Sequence, residues 1–96
     1  MKTQLSEMPN IGKVLSERLI AVGINTPEEL KSTGSENAFI RLRTVDSEAC
    51  LSMLCALEGA IQGIRWHDLD NARKTELKEF LKILDKQKLR TNFSKV

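Results

Sequence analysis

The chain of 96 residues is poor in the residues that usually carry chemistry. It contains one histidine, two cysteines, one tryptophan and no tyrosine. Nucleophilic catalysis needs a base beside a serine or cysteine, and zinc sites need several histidines or cysteines at close spacing. The sequence also lacks a Walker loop and any recognisable metal-ligand spacing. We therefore predict a non-enzymatic protein with no cofactor, no metal and no small-molecule substrate.

The two cysteines, Cys50 and Cys55, lie in a segment of helical pattern. Five positions along a helix correspond to ~140° of rotation, too far round for a disulfide. We expect both thiols to be buried as small apolar groups. Free thiols and the absence of a signal-peptide pattern predict a cytoplasmic location. The longest apolar stretch, Ala49 to Ile64, is interrupted by polar residues, so we expect a core helix and no membrane association.

Helical signals recur along the chain, whereas the alternation of apolar and polar residues that is typical of strands is absent. The pattern predicts an all-α fold, a compact bundle of five to six short helices. Its central helix, opened by Asp46 or Ser47, is apolar on most sides and should be buried. Residues 1–88 are predicted to form a single domain, and residues 89–96 a flexible basic tail.

Turn and capping residues predict where several helices begin and end. Asn10 is predicted to cap the helix that begins near Gly12 and ends before Gly23. The buried stripe of this helix is predicted to consist of Val14, Leu15, Leu19 and Val22. Thr26 is followed by a proline and then by a glutamate at the third position, which predicts an N-cap with a capping box. Ser35 is predicted to cap the fourth helix.

The central helix carries a stripe of very small residues at helical spacing, Ala56, Gly59, Ala60 and Gly63. Glycine inside a helix costs ~1 kcal/mol relative to alanine. We expect the close approach of another helix to offset this cost. For Gly63 the alternative is that the helix simply ends there.

The turn formed by Asn10, Ile11, Gly12 and Lys13 resembles helix-hairpin-helix turns of the P-x-I-G type, as found in SAM-like domains. Backbone N–H groups at the start of the following helix suit a phosphate, and Lys13 would add a charge. Such binding is non-specific because it reads the nucleic-acid backbone rather than the bases. However, residues 1–34 carry four basic and four acidic side chains, which favours the alternative that the turn only packs two helices.

Basic residues are concentrated near the end of the chain. Residues 71–96 carry eight basic and three acidic side chains, whereas residues 1–70 carry seven and ten. Such an asymmetry suits an acidic partner or nucleic acid, and Lys82, Lys86 and Arg90 are the candidates for assisting DNA contacts. The simpler alternative, which we favour, is a solvated helix face followed by a loose tail.

Four motifs occur in a characteristic order: P-N-I-G-K, G-I-x-T-P-E-E-L, A-L-E-G-A-I-x-G and R-W-H-x-L. In this combination the chain resembles the C-terminal domain of the TfoX/Sxy family, bacterial regulators of natural competence, from about Leu5 to Phe80. The resemblance implies an all-α fold with a helix-hairpin-helix-like element, distantly similar to the C-terminal domain of RNA polymerase α subunits. It also implies a regulatory role. Full-length members carry a further N-terminal domain and act as coactivators with the cyclic-AMP receptor protein.

The motif R-W-H-x-L supplies the candidate partner-binding residues Arg65, Trp66 and His67. Trp66 is a large aromatic in the loop after the central helix, and such residues often anchor protein interfaces. The alternative, which the residues favour, is a structural cap over the end of that helix, with His67 binding a carbonyl or carboxylate. We predict a regulatory module that binds a protein of the transcription machinery. Non-specific DNA binding is the second hypothesis, and homodimerisation through an exposed apolar strip of the last helix is the third.

Overall fold

The computed structural model describes the backbone of residues 4–94 and the side chains of residues 4–86. Every regular element in this part of the chain is helical, which confirms the predicted all-α class. Two single-turn 3-10 helices, Leu5–Glu7 and Trp66–Asp68, precede the first and the last α-helix. Because only a single 3-10 turn precedes the P-N-I-G-K turn, the helix-hairpin-helix detail stays a prediction. The α-helices are α1 Lys13–Ala21, α2 Pro27–Thr33, α3 Ser35–Leu42, α4 Leu51–Gln62 and α5 Asn71–Ser94.

The core is built around α4, whose segment Leu54–Ala60 is buried along its whole length. This helix packs against α2, α3, α5 and the 3-10 turn at Trp66–Asp68. Burying a large apolar side chain contributes ~1.5–3 kcal/mol, so these contacts supply most of the stability of so small a domain. The largest fully buried side chains are Leu19, Ile24, Leu30, Phe39, Leu42, Leu54, Leu57 and Leu77.

Three helix ends agree with the sequence predictions. The Thr26 hydroxyl accepts a hydrogen bond from the Glu29 N–H at 3.1 Å, which is the predicted N-cap contact. The Glu29 carboxylate accepts from the Thr26 hydroxyl instead of the Thr26 N–H, so the reciprocal contact of the predicted capping box is not formed. Gly23 and Gly63 follow α1 and α4 with φ of +87° and +76°. At the second of these ends the Ile64 N–H donates back to the Gly59 carbonyl, which closes the helix as glycine commonly does. The helix-end alternative for Gly63 is therefore confirmed.

The predicted beginning of α4 is wrong. The helix begins at Leu51 rather than near Asp46 or Ser47, and the preceding residues form turns. The Asp46 carboxylate pairs with Arg18 of α1, a partner that local sequence rules do not reveal. As a result, Cys50 lies before the helix and is exposed, contrary to its predicted burial.

One further helix-cap prediction and one burial prediction are wrong. Ser35 is the first residue of α3, whose N-cap is Gly34, and the Ser35 hydroxyl donates to Glu58 instead of capping the helix. Val14 was expected on the buried face of α1 but is 60% exposed. It lies in the first turn of α1, at the solvent-facing end of the helix.

The last helix, α5, follows Asp70, whose carbonyl accepts a hydrogen bond from the Lys74 N–H. The apolar stripe predicted for this helix consists of Leu77, Phe80, Leu81 and Leu84. Leu77 is buried and the other three are partly buried against the core, so the stripe is largely used within the fold. Ile83 remains exposed. The side chain of Arg90 and the side chains of the predicted tail, residues 89–96, lie outside the described part, and the domain boundary stays a prediction.

Within residues 4–94, none of the helices combines the length and the apolar character that crossing a membrane requires. Among the side chains of residues 4–86, no three from histidine, cysteine, aspartate or glutamate lie close enough together to hold a metal ion. The expected absence of metal and cofactor stays a prediction for the chain as a whole.

Candidate functional site

Asn10 connects the P-N-I-G-K turn to the loop that follows α4. Its φ is +69°, in the left-handed region that asparagine tolerates better than most residues. The side-chain Nδ2 donates to the Ile64 carbonyl at 2.9 Å and to the Ala56 carbonyl at 3.4 Å. The Oδ1 atom accepts from the Trp66 N–H at 3.1 Å. We call this set of hydrogen bonds the Asn10 joint.

The prediction that Asn10 caps α1 is therefore wrong. The N-cap is Gly12, which offers no side-chain hydrogen bond to the helix. Asparagine is a good N-cap because its side chain can accept from a nearby N–H, and here the same chemistry is directed to residues far along the chain. The side chain of Asn10 holds two segments of the fold together.

Gly59 makes the Asn10 joint possible. A Cβ at this position would lie 2.6 Å from Asn10 Nδ2, 2.9 Å from the Ile64 carbonyl oxygen and 3.1 Å from Trp66 Cα. Close approach at this glycine was predicted, but the expected partner was wrong: a side chain and a loop approach it instead of a helix. Three motifs, P-N-I-G-K, A-L-E-G-A and R-W-H, thus meet at one place.

The four predicted nucleic-acid-binding residues have different environments. Asn10 is engaged in the joint, and Ile11 is buried in the core. Gly12 and Lys13 are exposed, and no atom lies within 4 Å of the position of a Cβ on Gly12. The first turn of α1 is therefore open to solvent, with backbone N–H groups that no capping side chain occupies. Whether this turn binds nucleic acid stays a prediction.

The three predicted partner-binding residues form one surface. Arg65 and His67 are exposed, and Trp66 is half-buried against the core. The rings of Trp66 and His67 stack with centroids 4.0 Å apart. The His67 carbonyl accepts from Lys74 Nζ at 3.0 Å, while Asn10 holds the Trp66 N–H. Hydrogen bonds from two different elements therefore fix the backbone of this loop.

A groove lies beside the indole of Trp66, between the first turns of α4 and the first half of α5. We call it the Trp66 groove, and its volume is about 370 Å³. Desolvation raises the pKa of the Cys55 thiol, and the nearby positive charge of Lys74 opposes this shift. The thiol therefore contributes to the groove as an apolar, protonated group. The lining residues are Leu51, Ser52, Cys55, Trp66, Lys74, Thr75 and Lys78.

A buried carboxylate, Glu58, joins three helices and lies about one turn along α4 from Cys55. It accepts hydrogen bonds from Ser35 Oγ at 2.6 Å, from Gln62 Nε2 at 2.6 Å and from Arg73 NH2 at 3.0 Å. Desolvation alone would raise the pKa of Glu58, but these hydrogen bonds, with that from Arg73 the strongest, together lower it to about 2. The same contact raises the pKa of Arg73. This network fixes the first turn of α5, and with it Lys74, against α4.

Sequence reasoning identified Trp66 but missed most of the groove. Lys74 and Lys78 are one turn apart on α5, and this spacing was the available signal. It could not be used without knowing which face of α5 lies toward α4. Glu58 was also missed, although a single carboxylate in a helix that is apolar on most sides suggests a buried partner.

Comparison of the sequence with models of known protein families identifies the family of this chain. The model of the TfoX C-terminal domain matches residues 1–81, most of the chain. The chain belongs to the TfoX C-terminal domain family. The resemblance inferred from the four motifs is confirmed.

Individual relatives agree with this TfoX C-terminal assignment. Protein Sxy of Escherichia coli (strain K12) is 35% identical over 79 residues, which are 82% of this chain and 38% of Sxy. The chain thus spans well under half the length of that curated relative. Two solved structures from Listeria monocytogenes have the same fold. An uncharacterized protein in a triclinic crystal form is 59% identical with a TM-score of 0.85, over 86% of this chain and 94% of that one. A protein of unknown function in a tetragonal form is 61% identical with a TM-score of 0.81, over 83% and 99%.

Proposed function

We propose that this TfoX C-terminal domain is a non-catalytic regulatory module that acts in the cytoplasm by binding a protein of the transcription machinery. The contact surface consists of Arg65, Trp66, His67 and the adjoining Trp66 groove. The observation that carries the proposal is the half-exposed indole of Trp66 on a loop whose backbone is held by both Asn10 and Lys74. Tryptophan and arginine are the residues most enriched among binding hot spots.

The rigidity of this loop matters for affinity. Ordering a flexible side chain or loop on binding costs ~0.5–1.5 kcal/mol for each immobilised group. Because the Trp66 backbone is already fixed in the free protein, little of that cost remains when a partner binds. A preformed aromatic anchor of this kind favours protein recognition.

The family relationship supports a role in transcription. The TfoX/Sxy family comprises regulators of competence, and the Sxy relative extends well beyond the matched part. The role in competence and the identity of the transcription partner are carried to this chain as part of the proposal.

The proposal is tested with purified RNA polymerase and cyclic-AMP receptor protein from the source organism. Arg65→Ala should weaken binding of the labelled chain by about tenfold, the loss expected when one hot-spot side chain is removed. The far-UV circular dichroism should stay that of the parent. Arg41→Ala, which removes an exposed arginine of α3, is the matched control and should bind like the parent. Equal affinity of the parent and Arg65→Ala for both proteins would contradict the proposal.

Non-specific DNA binding is the second candidate function, and the open first turn of α1 favours it. Gly12 leaves the backbone N–H groups uncovered, and Lys13 stands beside them. If these groups bind phosphate, affinity for random-sequence duplex DNA should fall steeply between ~50 and ~200 mM salt. Lys13→Glu should weaken binding to all sequences alike, whereas Lys31→Glu makes the same charge change on α2 and should not. Absence of binding at the lower salt, or equal effects of both variants, would exclude this function.

A further inference from the structure

We propose that the Trp66 groove binds an acidic segment of a partner protein, one in which a large apolar side chain is flanked by aspartate or glutamate. This inference rests on the proposed function and names the chemistry of the partner. The groove has an apolar floor and a positively charged rim.

The floor of the groove is apolar and preformed. Cys55 is buried, while Leu51 and Trp66 are half-buried and pack against the core. The volume of about 370 Å³ lies near the lower end of the range of ligand pockets. Such a space suits one aromatic or branched aliphatic side chain, which would gain contact with the indole face.

The rim of the groove carries uncompensated positive charge. Lys74 and Lys78 line it one helical turn apart, and no carboxylate belongs to the lining. Lysines at this spacing repel each other on a helix. The hydrogen bond from Lys74 to the His67 carbonyl fixes the ammonium group without neutralising it, and leaves two of its donors for a ligand.

Within α5 each acidic side chain is paired elsewhere, and Asp70, one turn before Lys74, forms no ion pair with it. Glu76 pairs with Arg73, Glu79 with Lys82, and Asp85 with Arg43. Among residues 4–86, neither Lys74 nor Lys78 forms an ion pair. The first turn of α4, whose N-cap Cys50 offers no side-chain hydrogen bond, adds the positive end of a helix dipole to the same groove. A carboxylate bound in the groove would be attracted by Lys74, by Lys78 and by the N-terminal end of α4.

The combination favours a protein segment over other occupants. Nucleic-acid affinity comes from many phosphate contacts, whereas this groove offers two lysines around an apolar floor. The end of this chain, residues 87–96, contains three basic residues and no acidic one, so its charge does not complement the rim. An acidic and apolar segment of another protein matches both the floor and the rim.

The test begins with a displayed library of short random peptides selected on the full chain. We expect the selected peptides to be enriched in aspartate or glutamate next to phenylalanine or leucine. A selected peptide without tryptophan is then titrated while the emission of Trp66, the only tryptophan, is followed. Lys78→Glu should raise the Kd by about tenfold or more. Lys31→Glu, which reverses an exposed charge on α2, should leave the Kd unchanged.

Several outcomes would overturn the inference. These are a selection without acidic enrichment, equal Kd values for Lys78→Glu and the parent, and a dimer in sedimentation whose formation is blocked by Lys78→Glu. Failure of the proposed function can be distinguished from failure of this inference. If a transcription protein is bound through Arg65 and is insensitive to Lys78→Glu, the proposed function holds and this inference is wrong. If acidic peptides bind through Lys78 but neither transcription protein binds, only the choice of partner is wrong.

Discussion

Gly59→Ala sets two well-known effects against each other. Replacing glycine by alanine inside a helix normally stabilises it by ~1 kcal/mol. Here the added Cβ would lie 2.6 Å from Asn10 Nδ2 and 2.9 Å from the Ile64 carbonyl oxygen. Overpacking of this kind costs ~1–3 kcal/mol. Displacement of Asn10 also loses hydrogen bonds to Ile64 and Trp66, which contribute ~1 kcal/mol each. We therefore expect a net destabilisation of ~2–4 kcal/mol.

A loss of this size is easily measured. For a domain of this length, 1 kcal/mol corresponds to roughly 5 °C in the melting temperature. Gly59→Ala should therefore melt roughly 10–20 °C below the parent. Urea unfolding followed by both circular dichroism and Trp66 emission gives the free energy directly. Ser52→Ala, at an exposed position in the first turn of the same helix, is the matched control and should melt close to the parent, because surface substitutions usually change stability by less than ~0.5 kcal/mol.

A second variant separates the Asn10 joint from general crowding. In Asn10→Gly/Gly59→Ala, the hydrogen bonds of Asn10 are already absent, so they cannot be lost again. The combined destabilisation should be smaller than the sum of the two single effects by ~1–2 kcal/mol. A Gly59→Ala protein at least as stable as the parent, or strictly additive effects in the double variant, would refute the Asn10 joint.

Three further predictions follow from the same contacts. Asn10→Ala should lose ~2–4 kcal/mol of unfolding free energy, because it removes hydrogen bonds and places alanine at a φ of +69°. Asn10→Gly should lose less, since glycine tolerates this φ and only the hydrogen bonds are lost. Equal losses of the two variants in urea unfolding would contradict this. The pKa of Glu58 is about 2 in the folded chain against 4.5 ordinarily, so its contribution of ~3 kcal/mol is present above about pH 5 and is lost as the pH falls toward 2. Urea unfolding between about pH 2 and pH 5 should show the unfolding free energy of the parent rising with pH, and a smaller rise in Glu58→Gln. The same pH dependence in both proteins would contradict this role of Glu58. Ellman's reagent should modify exposed Cys50 rapidly in the native protein, whereas Cys55, whose thiol pKa is raised by burial, should react only on unfolding. Fast reaction of a native Cys50→Ser variant would contradict the burial of Cys55.

Two helix ends were predictable from local chemistry. Thr26 with the following proline, and Gly23 after α1, specify their helix ends through residues within one turn. The beginning of α4 was not predictable in this way. Asp46 is an acceptable cap by local rules, and its carboxylate accepts from the nearby Glu48 N–H at 3.1 Å. That contact closes a turn instead of opening the helix, and the same carboxylate pairs with Arg18, 28 positions earlier.

In the candidate site, too, some features follow from local residue types and others depend on long-range packing. Helix-interior Gly59 indicated a close approach, and its propensity cost was the correct signal. The atoms that approach it come from Asn10 and from the loop at Trp66, and Asn10 lies 56 positions from Trp66 in the sequence. Lys78 could not be assigned to a groove from its spacing, because that assignment depends on how α5 packs against α4. Long-range packing, rather than residue type, sets these features.

The most direct test of the account is hydrogen–deuterium exchange of the chain, free and in complex with the transcription protein that it binds. The account predicts slowed exchange in residues 51–55, 64–69 and 74–78, which contain the Trp66 surface and groove. Exchange in the first turn of α1, residues 12–16, should be unchanged. Slowed exchange confined to residues 12–16, with none around Trp66, would contradict the account and would make the P-N-I-G-K turn the binding site.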